Sequence, residues 1–159
     1  MSYELRGASL ESQVYILIVE DNPGDIRLMR EALRDCQPPV SIQVAMDAEQ
    51  ALECLQRTGQ YANAQRPTLI FLDFNLPKTS SRELLKILKD DHDLRLIPVA
   101  VLTTSDAEAD VRDAYDLHAN CYLRKPVDLD GFFATIRTAA NFWLNVAYTA
   151  NAKRSTRWE

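Results

Sequence analysis

The chain has 159 residues, of which 47% are hydrophobic and 26% charged, and its formal net charge is −5. This length and composition are typical of a single globular domain with a sizeable core. The negative charge argues against a general nucleic-acid binder and against a polybasic membrane patch, and the apolar runs are far too short to span a bilayer.

Three cysteines are scattered along the chain, at Cys36, Cys54 and Cys121. An odd and widely spaced set predicts neither a disulfide framework nor a CxxC metal site. The N-terminal residues also lack the apolar core of a secretion signal. We therefore expect reduced thiols in a cytoplasmic protein.

The first half of the chain begins with an irregular stretch, residues 1–13, which is predicted to be an N-terminal extension, either loose or helical. Residues 15–19 then form a continuous apolar run typical of a strand, and residues 25–36 carry apolar side chains at helical spacing. Residues 40–45 alternate apolar and polar side chains, as in a half-exposed strand. Residues 47–55 are predicted to be a helix opened by a capping box.

The second half of the chain continues this alternation. Its predicted elements are strands over residues 69–72, 98–102 and 121–123, and helices that begin after residues 80, 105 and 128. Ser80 with Glu83, and Ser105 with Glu108, are candidate capping boxes for the first two of these helices. Ile87 is expected to face the core together with the neighbouring leucines.

Five strand–helix units in strict alternation define the expected fold. Strands that are apolar on both faces indicate a parallel sheet covered by helices on each side, with right-handed connections. The sequence therefore predicts an α/β fold, a doubly wound (βα)5 flavodoxin-like sandwich. In such a fold the functional site lies at the C-terminal ends of the strands.

Polar residues follow four of the five predicted strands, and the fold would bring them to one edge of the sheet. They are Glu20 and Asp21 after the first strand, Asp73 and Asn75 after the third, Thr103 and Thr104 after the fourth, and Lys125 after the fifth. This arrangement predicts a pocket that contains three carboxylates, hydroxyl groups and one ammonium.

The three carboxylates of this pocket would repel each other by about 1 kcal/mol per pair in water and about 4 kcal/mol at a partly buried site. Either one of them keeps a proton or a cation is bound. An all-oxygen set favours Mg²⁺, with Mn²⁺ as a possible substitute. We expect Asp21 and Asp73 as direct ligands, Glu20 as a ligand through water, and the backbone carbonyl of Asn75 as a further ligand.

These motifs resemble the receiver domain of two-component response regulators. The resemblance covers about residues 14–145, which leaves residues 146–159 as a C-terminal extension. The segments VEDNPGDIRLMREAL, IPVAVLTTS and LHANCYLRKPVDLDGFF are also similar to single-domain regulators paired with bacterial and cyanobacterial phytochromes.

The resemblance implies a function for the pocket. Asp73 would accept a phosphoryl group from a sensor histidine kinase, such as a phytochrome, with Mg²⁺ bound, and the protein would later remove the group itself. Lys125 and Thr103 would each hold a phosphoryl oxygen. Thr103 and Tyr122 would form the conformational switch. Ser105, together with Asn75, would tune the lifetime of the phosphorylated form.

Two details of the backbone also follow from the resemblance. The bond between Lys125 and Pro126 is expected to be cis, which would aim the lysine inward. Ser81 stands where the family has Gly. A positive φ at this position would strain Ser81, whereas a different path of the loop at residues 78–81 would not.

The output is expected to be a protein–protein contact, because no helix-turn-helix and no basic stripe is present. One apolar stripe of the last helix is predicted to face the core: Leu129, Phe133, Ile136, Ala140, Trp143 and Ala147. Phe132, Ala139, Phe142 and Val146 lie off this stripe and form part of a second apolar face. The residues expected at a dimer face are Phe132, Phe142, Trp143 and Val146. We favour a homodimer through the face made by the fourth helix, fifth strand and fifth helix; the alternative is a C-terminal tail that folds back on its own domain.

Four other functions fit the sequence less well. A flavodoxin-like cofactor binder would need hydroxyls and amides after the first strand, where this chain has EDNPGD. A haloacid-dehalogenase-type phosphatase would have a second Asp at the position of Asn75. A pseudo-receiver that only binds proteins would not need a complete acidic site. A P-loop enzyme would need a GxxxxGK motif, which the sequence lacks.

Overall fold

The computed structural model of the protein describes residues 14–76 and 80–150. The strands are β1 (Val14–Val19), β2 (Val40–Ala45), β3 (Leu69–Asp73), β4 (Val99–Thr103) and β5 (Cys121–Arg124). The α-helices are α1 (Pro23–Leu33), α2 (Ala48–Gln56), α3 (Ser80–Asp90), α4 (Glu108–Asp116) and α5 (Leu129–Asn141). Short 3₁₀ turns lie at Gly59–Tyr61 and Leu94–Leu96, and a π-helical turn at Phe142–Val146 follows α5.

The five strands form one parallel sheet in the order β2-β1-β3-β4-β5. The register pairs Val19 with Leu72 and Asp73 with Leu102, so the C-terminal ends of β1, β3 and β4 lie side by side. The doubly wound flavodoxin-like fold predicted from the alternation is therefore confirmed. It places the acidic and hydroxyl residues that follow these strands at one edge of the sheet.

Each face of the sheet contributes to a separate apolar core, because successive strand residues point to opposite faces. Leu17, Val19, Ile70, Leu72 and Val101 pack with residues of α2, α3 and α4. The other face carries an equivalent set that packs with residues of α1 and α5: Ile16, Ile18, Leu69, Phe71, Ala100 and Leu102. All residues of β3 and β4 are buried, including the terminal Asp73 and Thr103.

Helix N-termini are fixed largely by side-chain caps. Asn22 accepts a hydrogen bond from the backbone N–H of Asp25 at the start of α1, and Asp47 accepts one from Gln50 at the start of α2. The predicted Ser105 cap of α4 is wrong: the helix begins at Glu108, and its N-cap residue, Ala107, has no side-chain hydrogen bond. Ser105 lies further upstream in the loop.

Two helix faces differ from the prediction. Ile87 in α3 is 44% exposed rather than inward-facing. In α5 the buried stripe is Phe132, Ile136 and Ala140, whereas Leu129 is 52% exposed. Ile136 and Ala140 belong to both stripes, so the difference is confined to the start of the helix, where Phe132 rather than Leu129 faces the core. As a consequence, Phe132 belongs to the core of this chain and is not available to an exposed dimer face.

The predicted extension at residues 1–13 lies outside the described residues, as do residues 151–159. None of the helices in the described ranges combines the length and the apolar character needed to cross a bilayer. The three cysteines are free thiols.

Candidate functional site

An acidic cluster forms where β1 and β3 end. Glu20, Asp21 and Asp73 can each place a carboxylate oxygen so that the three atoms lie within 4.8 Å of one another. Glu20 and Asp73 are only 2% and 3% exposed. The adjacency of β1 and β3 in the sheet causes this convergence, since residues 53 positions apart in sequence then follow neighbouring strand ends.

Lys125 enters the same cluster from the end of β5. Its Nζ lies 2.6 Å from Glu20 Oε1, 2.9 Å from Asp25 Oδ2 and 3.5 Å from Asp73 Oδ1. The lysine points inward without a cis bond to Pro126, so that expectation is wrong: the one cis peptide in the described ranges is Gln37–Pro38. A trans backbone suffices because Lys125 directly follows the strand whose end faces the cluster.

Asp25 is a member of this site that the sequence analysis missed. It lies in the first turn of α1, and its side chain remains 28% exposed while it bonds Lys125. The signal in the sequence was available: Asp25 comes four residues after Asp21, at the N-terminus of the helix that follows the acidic pair. A first-turn side chain there faces the same edge of the sheet as the strand ends.

The electrostatics of the cluster follow from burial and proximity. Burial, together with the hydrogen bond and the charge of Asp73, outweighs the attraction of Lys125 and raises the pKa of Glu20 to about 8. Burial would by itself lower the pKa of Lys125, but hydrogen bonds to Glu20 and Asp25 and the charge of Asp73 raise that pKa above its usual value. Lys125 therefore stays protonated, and the acidic groups around it outnumber this single positive charge.

Hydroxyl and amide groups line the other side of Asp73. The backbone N–H of Asn75 donates to Asp73 Oδ1 at 2.8 Å. Thr103 Oγ1 donates to the Asn75 side-chain oxygen at 3.1 Å, and the Asn75 amide nitrogen donates to Thr104 Oγ1 at 3.2 Å. Asn75 is thus the direct link between the carboxylate of Asp73 and the hydroxyl of Thr103.

Tyr122 is connected to the site through Ser105. The Tyr122 hydroxyl donates to the Ser105 carbonyl at 2.9 Å, and the ring stands edge-on to Phe74 with centroids 6.5 Å apart. The backbone N–H of Ser105 in turn donates to Thr103 Oγ1 at 3.1 Å. The residues predicted as a switch are therefore joined by continuous contacts.

Ser81 does not carry the strain that a positive φ would cause. It lies in α3, and the non-glycine residues with positive φ in the described ranges are Arg57 and His118. Ser81 is fully buried, and its hydroxyl donates to the backbone carbonyl of Asp73 at 2.6 Å. A glycine at this position would have no hydroxyl, so the Asp73 carbonyl would lose this hydrogen-bond donor.

The acidic cluster fits a divalent cation by the chemistry of its donors. Three carboxylates meet one ammonium, so either a proton or a cation would offset the remaining negative charge. The raised pKa of Glu20, caused first by burial and then by Asp73, is consistent with this need. Oxygen donors of this kind suit Mg²⁺ or Mn²⁺.

Two of the predicted dimer residues, Phe142 and Trp143, line a groove between β5 and α5. The groove has a volume of about 720 Å³ and is lined by Cys121, Leu123, Ala139, Phe142 and Trp143, among others. Phe142 is 46% exposed and Val146, further along the π-helical turn, is 62% exposed. Phe142 and Trp143 also stack edge-on, with centroids 5.0 Å apart.

Comparison with known proteins identifies the family. Residues 16–137 match the response regulator receiver domain, and this chain belongs to that family. It is 44% identical over 129 residues to response regulator Rcp1 of a Synechocystis species, an alignment that covers 81% of this chain and 88% of Rcp1.

Solved structures agree in fold and in sequence. The crystal structure of RcpA, a phosphorylated cyanobacterial phytochrome response regulator, superposes with a TM-score of 0.83 at 43% identity and covers 87% of this chain and 99% of RcpA. The Mn²⁺-bound form of Rcp1 gives a TM-score of 0.80 at 42% identity, with 86% and 98% coverage. The receiver fold and the similarity to phytochrome-associated regulators are thereby established.

Proposed function

We propose that this protein is the response regulator of a two-component phosphorelay, and that Asp73 accepts the phosphoryl group. One observation carries the proposal: Asp73 is a buried carboxylate that shares its pocket with Glu20, Asp21 and the ammonium of Lys125. A buried acidic group with such neighbours is costly unless it binds or reacts.

The proposed reaction is a phosphoryl transfer from a phosphohistidine. A carboxylate oxygen of Asp73 attacks the phosphorus, the new O–P bond forms as the P–N bond breaks, and the imidazole leaves with the electron pair. Lys125 then holds one phosphoryl oxygen as a point charge, and Thr103 donates its hydroxyl proton to another. Water later attacks the phosphorus, which releases phosphate and restores the carboxylate.

A divalent cation is part of the proposal. Glu20, through water, Asp21, Asp73 and the backbone carbonyl of Asn75 would hold Mg²⁺. When bound, the ion supplies positive charge that offsets the charge of the transferring oxygens. The relative Rcp1 has a Mn²⁺-bound form, which supports a divalent cation in general and keeps Mn²⁺ as a substitute.

The signal is proposed to pass from Thr103 to Tyr122. Once Thr103 turns to the phosphoryl group it vacates space, Tyr122 rotates inward, and the surface made by α4, β5 and α5 changes shape. Phosphorylation shifts this equilibrium only by as much as it favours the active arrangement. Asn75 and Ser105, which contact the Thr103 hydroxyl, are proposed to tune the lifetime of the aspartyl phosphate.

The proposed partners are a sensor histidine kinase and a second copy of this chain, in the cytoplasm. The similarity to RcpA, a phytochrome response regulator, supports a phytochrome as the kinase. Two features support a two-fold dimer in which each copy covers the apolar surface of the other: the groove between β5 and α5, which Phe142 lines, and the exposed Val146 in the turn after α5.

Intact-mass analysis tests the phosphoacceptor directly. After incubation with Mg²⁺ and acetyl phosphate, the wild type and Asp116→Asn, an exposed acid on α4, are expected to gain one phosphoryl group. Asp73→Asn is expected to gain none. Equal labelling of Asp73→Asn would contradict the assignment, and no labelling of any protein would favour a pseudo-receiver that only binds proteins.

A further inference from the structure

Ser105 joins the phosphoacceptor pocket to helix α4. In addition to the bond from its N–H to Thr103 Oγ1, the Ser105 hydroxyl donates to Asp110 Oδ2 at 2.7 Å. The same Ser105 oxygen accepts the backbone N–H of Ala107 at 3.1 Å. Since α4 has no side-chain cap of its own, these contacts hold the start of the helix to the loop.

Asp110 is held in turn by Arg82 of α3. Asp110 Oδ1 lies 2.9 Å from Arg82 Nη2, and the Nε of the same arginine lies 3.3 Å from Asp113 Oδ2. The Arg82 guanidinium also stacks 4.6 Å from the ring centre of Phe74, the residue that follows Asp73. Arg82 and Asp110 are about one-third exposed, so this pair is shielded better than a fully exposed ion pair.

We propose that Asp110 is a positioning residue that, together with Arg82, restrains the loop between β4 and α4 in its resting arrangement. This inference rests on the proposed function of Asp73. Because the Thr103 hydroxyl has one proton, which it now donates to Asn75, donation to a phosphoryl oxygen requires that contact to break. The backbone N–H of Ser105 is bonded to the same Thr103 hydroxyl, so Ser105 moves when that hydroxyl moves. The hydrogen bond between the Ser105 hydroxyl and Asp110 opposes this movement.

The restraint has a predictable direction. A hydrogen bond to a charged group is stronger than a neutral one, so its loss removes part of the free energy that favours the resting loop. Asp110→Ala is therefore expected to be phosphorylated by acetyl phosphate about fivefold faster than the wild type, the factor that a loss of roughly 1 kcal/mol corresponds to.

Asp113 is a matched control on the same helix. Asp113→Ala removes the same charge and also breaks an ion pair with Arg82, but no contact to Ser105 is lost. We expect its phosphorylation rate to stay within about twofold of the wild type, because exposed ion pairs contribute little. If loss of any acidic residue on α4 had the same general effect, Asp110→Ala and Asp113→Ala would change the phosphorylation rate equally.

Ser105→Ala tests the same link from the loop. It removes the hydroxyl that bonds Asp110, so it is expected to accelerate phosphorylation as Asp110→Ala does, and the double variant Ser105→Ala/Asp110→Ala should add nothing further. Two single-site variants on the same link keep the inference testable if either one of them folds poorly. Hydrogen exchange of residues 105–116 should be faster in each of these three variants, and unchanged in Asp113→Ala.

The possible results separate the inference from the function on which it rests. Equal rates for wild type, Asp110→Ala and Asp113→Ala, with Asp73→Asn unlabelled, would overturn the role of Asp110 and leave the phosphoacceptor proposal standing. Fully additive effects of Ser105→Ala and Asp110→Ala would also overturn it. Absence of labelling in the wild type would overturn both.

Discussion

Lys125 lies closer to Glu20 than to Asp73: the nearest oxygens of the two carboxylates are 2.6 Å and 3.5 Å from its Nζ. The ammonium is therefore engaged mainly by residues other than the proposed phosphoacceptor, with Asp25 as its second close partner. The Asp73 carboxylate accepts the N–H of Asn75 and forms a longer ion pair, at 3.5 Å, with the lysine. In this resting arrangement the proposed nucleophile, Asp73, lies near the Lys125 ammonium, whose shortest contacts are with Glu20 and Asp25.

The raised pKa of Glu20 predicts that cation binding depends on pH. With a pKa of about 8, Glu20 retains a proton at neutral pH in the metal-free protein, and a bound cation must displace it. The apparent Mg²⁺ affinity is therefore expected to rise by up to about tenfold per pH unit and to level off above about pH 8. Titration calorimetry in buffers of different ionisation enthalpy would measure both the affinity and the released proton.

Glu20→Gln is the control for this prediction. The variant cannot release that proton, so its Mg²⁺ affinity should be weaker and depend less on pH. Folding gives a second measurement: a carboxyl whose pKa is raised from 4.5 to about 8 on folding makes the metal-free protein less stable as the pH rises through that window. An affinity that is constant between about pH 6 and about pH 8 would contradict the assignment.

Asp25 is predicted to stabilise the site through Lys125. Asp25→Asn removes one of the two close carboxylate partners of a lysine that is only 6% exposed. Because Asp25 itself is partly exposed, water compensates in part, and we expect a loss of about 1–2 kcal/mol in the free energy of unfolding. Urea denaturation would measure it. Glu31→Gln, which breaks an exposed pair with Arg34, should change that free energy by less than about 0.5 kcal/mol; similar losses in both variants would contradict a special role of Asp25.

Strands β1, β3 and β4 were predictable from the sequence because burial on both faces leaves little choice of residues. The apolar runs that form β3 and β4 allow no amphipathic helix, and their order along the chain then fixes which polar residues meet. The meeting of Glu20, Asp21, Asp73 and Lys125 followed from that rule alone.

The orientation of α5 was not predictable in the same way. Leu129, Phe132 and Phe133 are all apolar, so periodicity permits more than one buried stripe, and only packing against α1 and the sheet selects Phe132. Ser81 was noted as a departure from the family's Gly, but its role was not predictable: its hydroxyl bonds the backbone of Asp73, which residue type alone does not reveal.

Ser81 is predicted to hold the backbone at Asp73. Ser81→Ala would leave the buried Asp73 carbonyl without its hydroxyl donor, which costs about 1–3 kcal/mol for an unsatisfied buried group. Thermal or urea unfolding would measure the loss, and Ser81→Gly should be at least as unstable because glycine also disfavours the helix. A Ser81→Ala variant as stable as the wild type would show that the hydrogen bond contributes nothing.

The proposed dimer predicts a specific effect of charge on its apolar surface. Val146→Glu places a carboxylate on a residue that is 62% exposed, so the fold should be retained while a face that must be desolvated in the dimer becomes unfavourable. Light scattering is expected to give the dimer mass for the wild type at micromolar concentration and the monomer mass for this variant.

Ile87→Glu is the matched control for the dimer. Ile87 is 44% exposed on α3, a helix that packs on the opposite face of the sheet from α5, so the same change of charge there should leave the dimer intact. Loss of the dimer in both variants would point to a general effect of added charge rather than to the groove. A wild-type protein that remains a monomer at about 50 μM would contradict the dimer altogether, since a specific interface of standard size, about 800 Å² per partner, normally holds at such concentrations.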